Sequence, residues 1–332
     1  MSGRRVVAPA LALAVALSGC ASVSHVAQDR SLAALKTQDP KPGDPLPPLG
    51  PPKGCNKRNV LRSLPALHTL PRPGHMPRGS SMRAIQRRKL RVGVDQNSLR
   101  LGYFNPTTER MEGFDIDVVR AVARAIFGGH PDDHITYTAI STQQREAAIA
   151  FHDVDIVASA FSITCERKAR VAFSSVYHHA RQRLLVPEDS NVHKLSDLRV
   201  PILLRPLTPK PICATSASTT VTSLEGTGVE PYRVELRSDC LVALQERDVA
   251  AATSDDTILH GLCLQDPQTK IVGPTIEDEY YGLAMGRDRK DLVRFVNAVL
   301  KRVDREQLRR KWFRGLRAAA GGEIRRCGAP GL

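Results

Sequence analysis

Residues 90–126 begin Leu90-Arg-Val-Gly-Val-Asp95 and, past a polar loop, continue Gly113-Phe-Asp-Ile-Asp117 with Val119, Val122, Ala123 and Ile126 behind it. In the first segment apolar residues take alternate positions, the period of a strand with a buried face. In the second they fall at helical spacing, with Asp115 as a candidate cap and Gly128-Gly129 as the stop. The alternation continues with a strand over 135–140, a helix over 143–151 and a strand over 154–158. Strands alternating with helices predict an α/β layer with a mostly parallel sheet. A short helix on Met82 and Ile85 precedes the first strand and puts the onset of ordered structure near Ser81.

A second series follows, with strands over 183–186, 212–215 and 249–253 and helices over 218–224, 239–246 and 256–264, so a second lobe is expected. The chain closes with a strand over 281–285 and one long helix. In that helix Leu292, Phe295, Val296, Val299, Leu300 and Val303 form an apolar stripe that Leu308, Trp312 and Phe313 continue.

The N-terminus reads as a lipoprotein export signal. Arg4 and Arg5 precede an apolar run over 6–17, and Leu17-Ser-Gly-Cys20 follows where cleavage before a lipidated cysteine is expected. The run is shorter than the about 20 residues that span a bilayer. Residues 1–19 are thus expected to be removed. Lipid on Cys20 then holds the protein on the extracytoplasmic face of the cell membrane. Residues 20–80 read as a tether, because no apolar period runs through them and seven of the thirteen residues from Pro40 to Pro52 are proline.

The formal net charge of +14 comes from scattered basic residues, clustered at 83–91 and 301–317. Without an aromatic-laced stripe they read as solvated helix faces, and no nucleic-acid partner is expected. Seven cysteines are present, and Cys20 aside they are Cys55, Cys165, Cys213, Cys240, Cys263 and Cys327. An even set in an oxidising compartment predicts disulfides. The spacings lack the CxxC pairs of a zinc site, and His130-Pro-Asp-Asp-His134 reads as a helix-to-strand loop, so no metal or cofactor is expected. Gly-x-Ser-x-Gly, Walker and HExxH motifs are missing from the sequence, and no catalytic residue is assigned.

Further segments occur in order with the first two: Val154-Asp-Ile-Val157, Ile163-Thr-Cys-Glu-Arg167, Phe173-Ser-Ser-Val-Tyr177, Leu184-Leu-Val186, Tyr281-Gly-Leu-Ala284 and Lys311-Trp-Phe313. In this series the chain resembles the solute-binding proteins of polar amino acid ABC transporters (family 3), in particular actinobacterial glutamate/glutamine-binding lipoproteins. The resemblance implies an α/β, two-lobed periplasmic-binding-protein type II fold with two hinge crossings and a ligand cleft between the lobes. Lobe 1 would comprise 81–177 and 282–332, the latter with the C-terminal tail, and 178–281 the hinges and lobe 2. His178 and His179 would be partly exposed hinge residues. The implied protein is a monomer without enzymatic activity. It binds a free polar or acidic L-amino acid, among them glutamate, aspartate, glutamine and asparagine, and delivers it to an ABC permease or presents it to a membrane sensor.

A free amino acid needs a donor fork for its carboxylate and an anion for its ammonium. The resemblance assigns the first role to Arg167, with Ser162 and the backbone of Ala160 beside it, and the second to Asp256, with Asp255 as its rival. Ser218 and Thr219, in the segment 214–220, would close over the carboxylate at a helix N-terminus, with Ala217 where the family carries glycine. Thr142-Gln-Gln-Arg145 is similar to the Ser-x-x-Arg of aspartate/glutamate-binding members, which turns Thr142 and Arg145 toward an acidic side chain. Arg100 would add a second positive group, and Asp95 with Tyr103 or Phe104 would shape the wall. Cys213 and Cys240, both in the implied second lobe near the cleft loop, are the candidate disulfide. Cys55, Cys165, Cys263 and Cys327 stay without assigned partners.

Overall fold

The computed structural model describes residues 50–199, 210–314 and 316. The export signal, Cys20, the first part of the tether, Cys327 and the C-terminal tail lie outside the described residues.

Residues 50–80 hold no helix or strand, yet they are packed. Cys55 is bonded to Cys165, Leu67 N–H donates to the Arg294 carbonyl at 3.1 Å and Gly74 N–H to that of Ile126 at 2.9 Å. Leu64, Leu67 and Leu70 lie against the main apolar core. The expected tether therefore does not extend to residue 80. Isolated leucines find seats along a surface without any period, so periodicity was blind to this strap.

The first lobe then builds in order: α1 (Ser81–Gln86), β1 (Leu90–Val94), β2 (Asn97–Ser98), β3 (Gly102–Asn105), β4 (Arg110–Glu112), α2 (Phe114–Phe127), β5 (Ile135–Ala139), α3 (Arg145–Ala150), β6 (Ile156–Ala158), α4 (Cys165–Lys168) and β7 (Val171–Phe173). Leu90, Val92 and Val94 are wholly buried, as the alternation in β1 requires. Gly113 caps α2 at φ 130°, and a Cβ there would lie 2.0 Å from the Leu101 carbonyl oxygen, so only glycine fits. Asp115 is not the cap. Its buried carboxylate accepts the Ala160 N–H and the Tyr177 hydroxyl, each at 2.8 Å.

The chain crosses to the second lobe along β8 (His178–Pro187). It continues through β9 (Ile212–Thr215), α5 (Thr219–Leu224), β10 (Pro231–Val234), α6 (Asp239–Gln245), β11 (Ala251–Asp255), α7 (Asp256–Gln265) and β12 (Thr269–Val272). It returns along β13 (Asp278–Tyr281), then adds β14 (Ala284–Gly286), α8 (Lys290–Leu300) and α9 (Arg305–Trp312). The strand expected over 281–285 is thus split between the return crossing and the first lobe. The long terminal helix also breaks, because Asp304 caps a new one by accepting the Gln307 N–H at 2.9 Å.

The first sheet runs β5-β1-β6-β14-β7 and the second β10-β9-β11-β8-β12. Both are mixed. β14, the first strand after the chain returns, enters antiparallel to β6 and β7, and β8, the outgoing crossing, pairs antiparallel with β11 and β12. The expectation of a mostly parallel sheet missed that geometry. β13 pairs antiparallel with the first half of β8, so the two crossings form one ribbon. His178 in that ribbon is buried among Phe114, Tyr281 and Phe313, whereas His179 is exposed and meets Asp278 at 2.7 Å. Cys213 and Cys240, the pair singled out above, form a disulfide between β9 and α6 inside a second-lobe core.

Candidate functional site

The site forms where the loop ends of the two sheets face each other, and one aromatic ring organises it. Phe161, three residues beyond β6, is 1% exposed. The Arg145 guanidinium carbon lies 4.2 Å from its ring centre and that of Arg167 4.9 Å, both within cation–π range. Ahead of the ring, Ala160 holds φ at 44°, a conformation fixed by its N–H bond to Asp115.

Arg167 extends from α4, whose first turn Thr164 caps. Its Nη1 donates to the Ser162 carbonyl at 2.8 Å and its Nη2 reaches the second lobe, donating to the Ala217 carbonyl at 3.1 Å. Arg145, the first residue of α3, donates through Nε to the Thr142 carbonyl at 2.9 Å. Its Nη1 donates to the carbonyls of Ser159 and Ala160 at 3.2 and 3.4 Å. Among the described residues both guanidinium groups thus bond to carbonyls and to no carboxylate. Burial, then the like charges of Arg167 and Arg237, press the pKa of Arg145 well below its ordinary value. Burial also lowers that of Arg167, against the opposing pull of Glu146, Glu279 and Asp255.

The second lobe supplies a third guanidinium. Arg237, ahead of α6, donates through Nη1 to Asp95 Oδ2 at 2.6 Å and Ser98 Oγ at 3.1 Å, and through Nη2 to the Ser159 carbonyl at 3.0 Å. Asp95 also accepts the Asn97 N–H and the Ser98 hydroxyl. Nothing local distinguishes Arg237 among the 48 lysines and arginines of the chain, and the sequence reading passed over it and over Phe161.

Opposite the arginines stand Ser218, Thr219 and Asp255. The Ser218 hydroxyl caps α5, accepting the Val221 N–H at 3.4 Å, and Ala217 before it takes φ 55°, filling the place of a glycine. Asp255 ends β11, accepts the Tyr281 hydroxyl, and is pushed up to about 7 by burial and then by Glu279. Asp256 does not join it. Its Oδ1 accepts the Arg181 N–H at 3.2 Å, and its side chain lines a separate groove on the hinge side with His178, Arg181, Arg305 and Arg309. Successive residues at a strand end point to opposite sides, so only one of two adjacent aspartates can face the lobes' common space.

That space is lined by Arg145, Arg167, Arg237, Ser162, Thr219 and Asp255, and measures about 20 Å³. An amino acid therefore enters only when the lobes part. Arg100, Tyr103 and Phe104 stay outside it. Arg100 instead acts on His260 of α7, whose pKa burial and then Arg100 lower to about 4, and Phe104 is 43% exposed. Among the described residues no group of three or more His, Cys, Asp or Glu gathers to hold a metal ion, and no helix is long and apolar enough to cross a membrane.

Residues 90–315 match the family model of bacterial extracellular solute-binding proteins, family 3. The chain is 30% identical to a glutamine-binding protein of Geobacillus stearothermophilus over 208 residues, 62% of this chain and 76% of that protein. It is 31% identical to the glutamate-binding protein GluB of Corynebacterium glutamicum over 231 residues, 66% of this chain and 75% of that protein. Among solved structures, the cysteine-binding protein from Campylobacter jejuni superposes with TM-score 0.61 at 20% identity, over 73% of this chain and 95% of that one. An ancestral arginine-binding protein bound to arginine gives 0.59 at 24%, over 68% and 98%. At these identities the likeness establishes the two-lobed fold and nothing about the ligand.

Proposed function

The chain belongs to the bacterial extracellular solute-binding proteins, family 3, which are transport receptors and not enzymes, and we propose that it captures an acidic L-amino acid, glutamate or aspartate. One observation carries the preference. Arg145 and Arg167 are 2% and 7% exposed, flank one ring, and bond to no carboxylate among the described residues. A buried charge without a counterion is costly, and a ligand with two carboxylates compensates both. Arg167 takes the α-carboxylate with the Ser218–Thr219 turn, Arg145 the side-chain carboxylate, and Asp255 the ammonium. A basic ligand would add a fourth cation to this end of the space, and glutamine would leave Arg145 without an anion.

Because Arg145 and Arg167 sit on the first lobe and Asp255 on the second, the ligand bridges them and favours the closed form. A shift from 1:99 to 99:1 takes about 5.5 kcal/mol of differential affinity. The relative named as an ABC transporter glutamine-binding protein supports delivery to a permease over presentation to a sensor. Lipid on Cys20 would hold the receptor at the outer face of the membrane, with lobe 1 formed by 81–177 and the segment after 281.

Titration calorimetry with glutamate, aspartate, glutamine, asparagine and arginine tests the assignment. Arg167→Ala is expected to lose every ligand. Arg145→Ala should lose the acidic ones selectively, by about 10- to 100-fold, the worth of one hydrogen-bonded charge. Equal losses of glutamate and glutamine in Arg145→Ala would refute the preference.

A further inference from the structure

α4, which carries Arg167, is a single turn of four residues, well below the length at which a helix holds itself. It is held instead by the strap that precedes the first lobe. Cys55 is bonded to Cys165, two residues before Arg167. Lys168, the residue after Arg167, donates its ammonium to the Arg62 carbonyl at 2.6 Å. The Ser63 hydroxyl donates to the Phe173 carbonyl of β7 at 2.7 Å, behind the same turn. Val60 and Leu61 pack on the apolar cluster that contains Phe161, Ile163 and Phe173. The strap is fixed in turn by α8, where Asn297 Nδ2 donates to Ser63 Oγ at 2.9 Å and to the Leu64 carbonyl at 2.7 Å.

We propose that residues 55–64 position Arg167 for the ligand α-carboxylate, through the Cys55–Cys165 bridge and the Lys168–Arg62 bond. The inference rests on the reading of Arg167 given above. A long guanidinium stem on a lone turn has rotamers to lose when a ligand arrives, and a turn braced on both sides of the arginine has surrendered them beforehand. None of residues 55–64 lines the space between the lobes; the strap sets the frame from which Arg167 reaches across to the Ala217 carbonyl.

The test compares glutamate with isoglutamine, whose α-carboxamide lacks the charge that Arg167 grips while its side-chain carboxylate and ammonium are kept. In Cys55→Ala/Cys165→Ala, glutamate affinity should fall about tenfold, the cost of ordering one rotamer-rich side chain. The glutamate-to-isoglutamine affinity ratio should shrink by a similar factor. Lys168→Met, which removes only the ammonium bond, should move the ratio the same way by less, and it decides the matter alone if the double variant does not fold. Equal weakening of both ligands, as loosened folding alone would give, or no weakening, overturns the proposal. Failure of the unaltered protein to bind glutamate takes down the functional reading and this inference with it; an unmoved ratio takes down only the inference.

Discussion

Asp255 shows what a single carboxyl contributes. Burial, then Glu279, hold it up at about 7, with Asp256 adding to the rise and the Tyr281 hydroxyl and Arg237 opposing it. Unfolded, the same group titrates near about 3.9. Between those values the native chain holds a proton that the unfolded chain has lost, so stability drains away as pH rises from about 4 to about 7 and is level above. In the ligand-free protein the unfolding midpoint should therefore fall more steeply over this window than in Asp255→Asn. Other shifted acids, such as Asp155, are common to both proteins and cancel in the difference. Parallel slopes would show that Asp255 is ionised throughout. The two guanidinium positions were legible because charged residues in a recurring motif declare their type. The choice between Asp255 and Asp256 was not, since the strand was expected to stop at 253 and the direction of each later side chain hangs on that boundary. Arg237 was invisible for a different reason: its partner Asp95 lies 142 positions away.

Several elements, among them β1, β9 and α5, lie where they were expected, whereas the apolar stripe of the terminal helix ran on past the break between α8 and α9. The hairpin strands β2 to β4 span two to four residues each and offer no period to count. One further detail belongs to the elements and not to any pattern. Gly261 of α7 sits against Leu99 beyond β2, and a Cβ there would meet the Leu99 carbonyl oxygen at 2.4 Å, backbone against backbone across the lobes. Alanine favours a helix over glycine by up to about 1 kcal/mol. Gly261→Ala should thus leave the unfolding midpoint undiminished while lowering ligand affinity. Its ligand-saturated form should keep a larger radius of gyration in small-angle X-ray scattering. Unchanged affinity and radius would mean that α7 and Leu99 need not meet for closure.

At the level of the two lobes together, the Arg237–Asp95 pair is a charged contact that spans them, with both side chains largely withdrawn from solvent. In an opened protein both ends are hydrated, so closure trades hydration for attraction, and removing one end strands the other, at about 3–5 kcal/mol. Asp95→Asn should weaken ligand binding at least about tenfold, and adding Arg237→Met should restore part of the loss. Strictly additive losses would show that the pair does not hold the lobes to each other. The two-lobed arrangement itself came from an ordered series of short motifs, since alternating strands and helices alone do not say that a chain leaves one sheet and returns. The start of the packed region was misjudged because proline-rich chain with scattered leucines can dress a surface without forming an element.

The ribbon of β8 and β13 adds a constraint on movement. Four residue pairs, from Asp278↔Arg181 to Tyr281↔His178, stitch the outgoing chain to the returning one. Two separate threads would let the halves twist, slide or splay independently. Laced side by side, they bend as a single leaf spring, and the protein is left with one direction in which to gape.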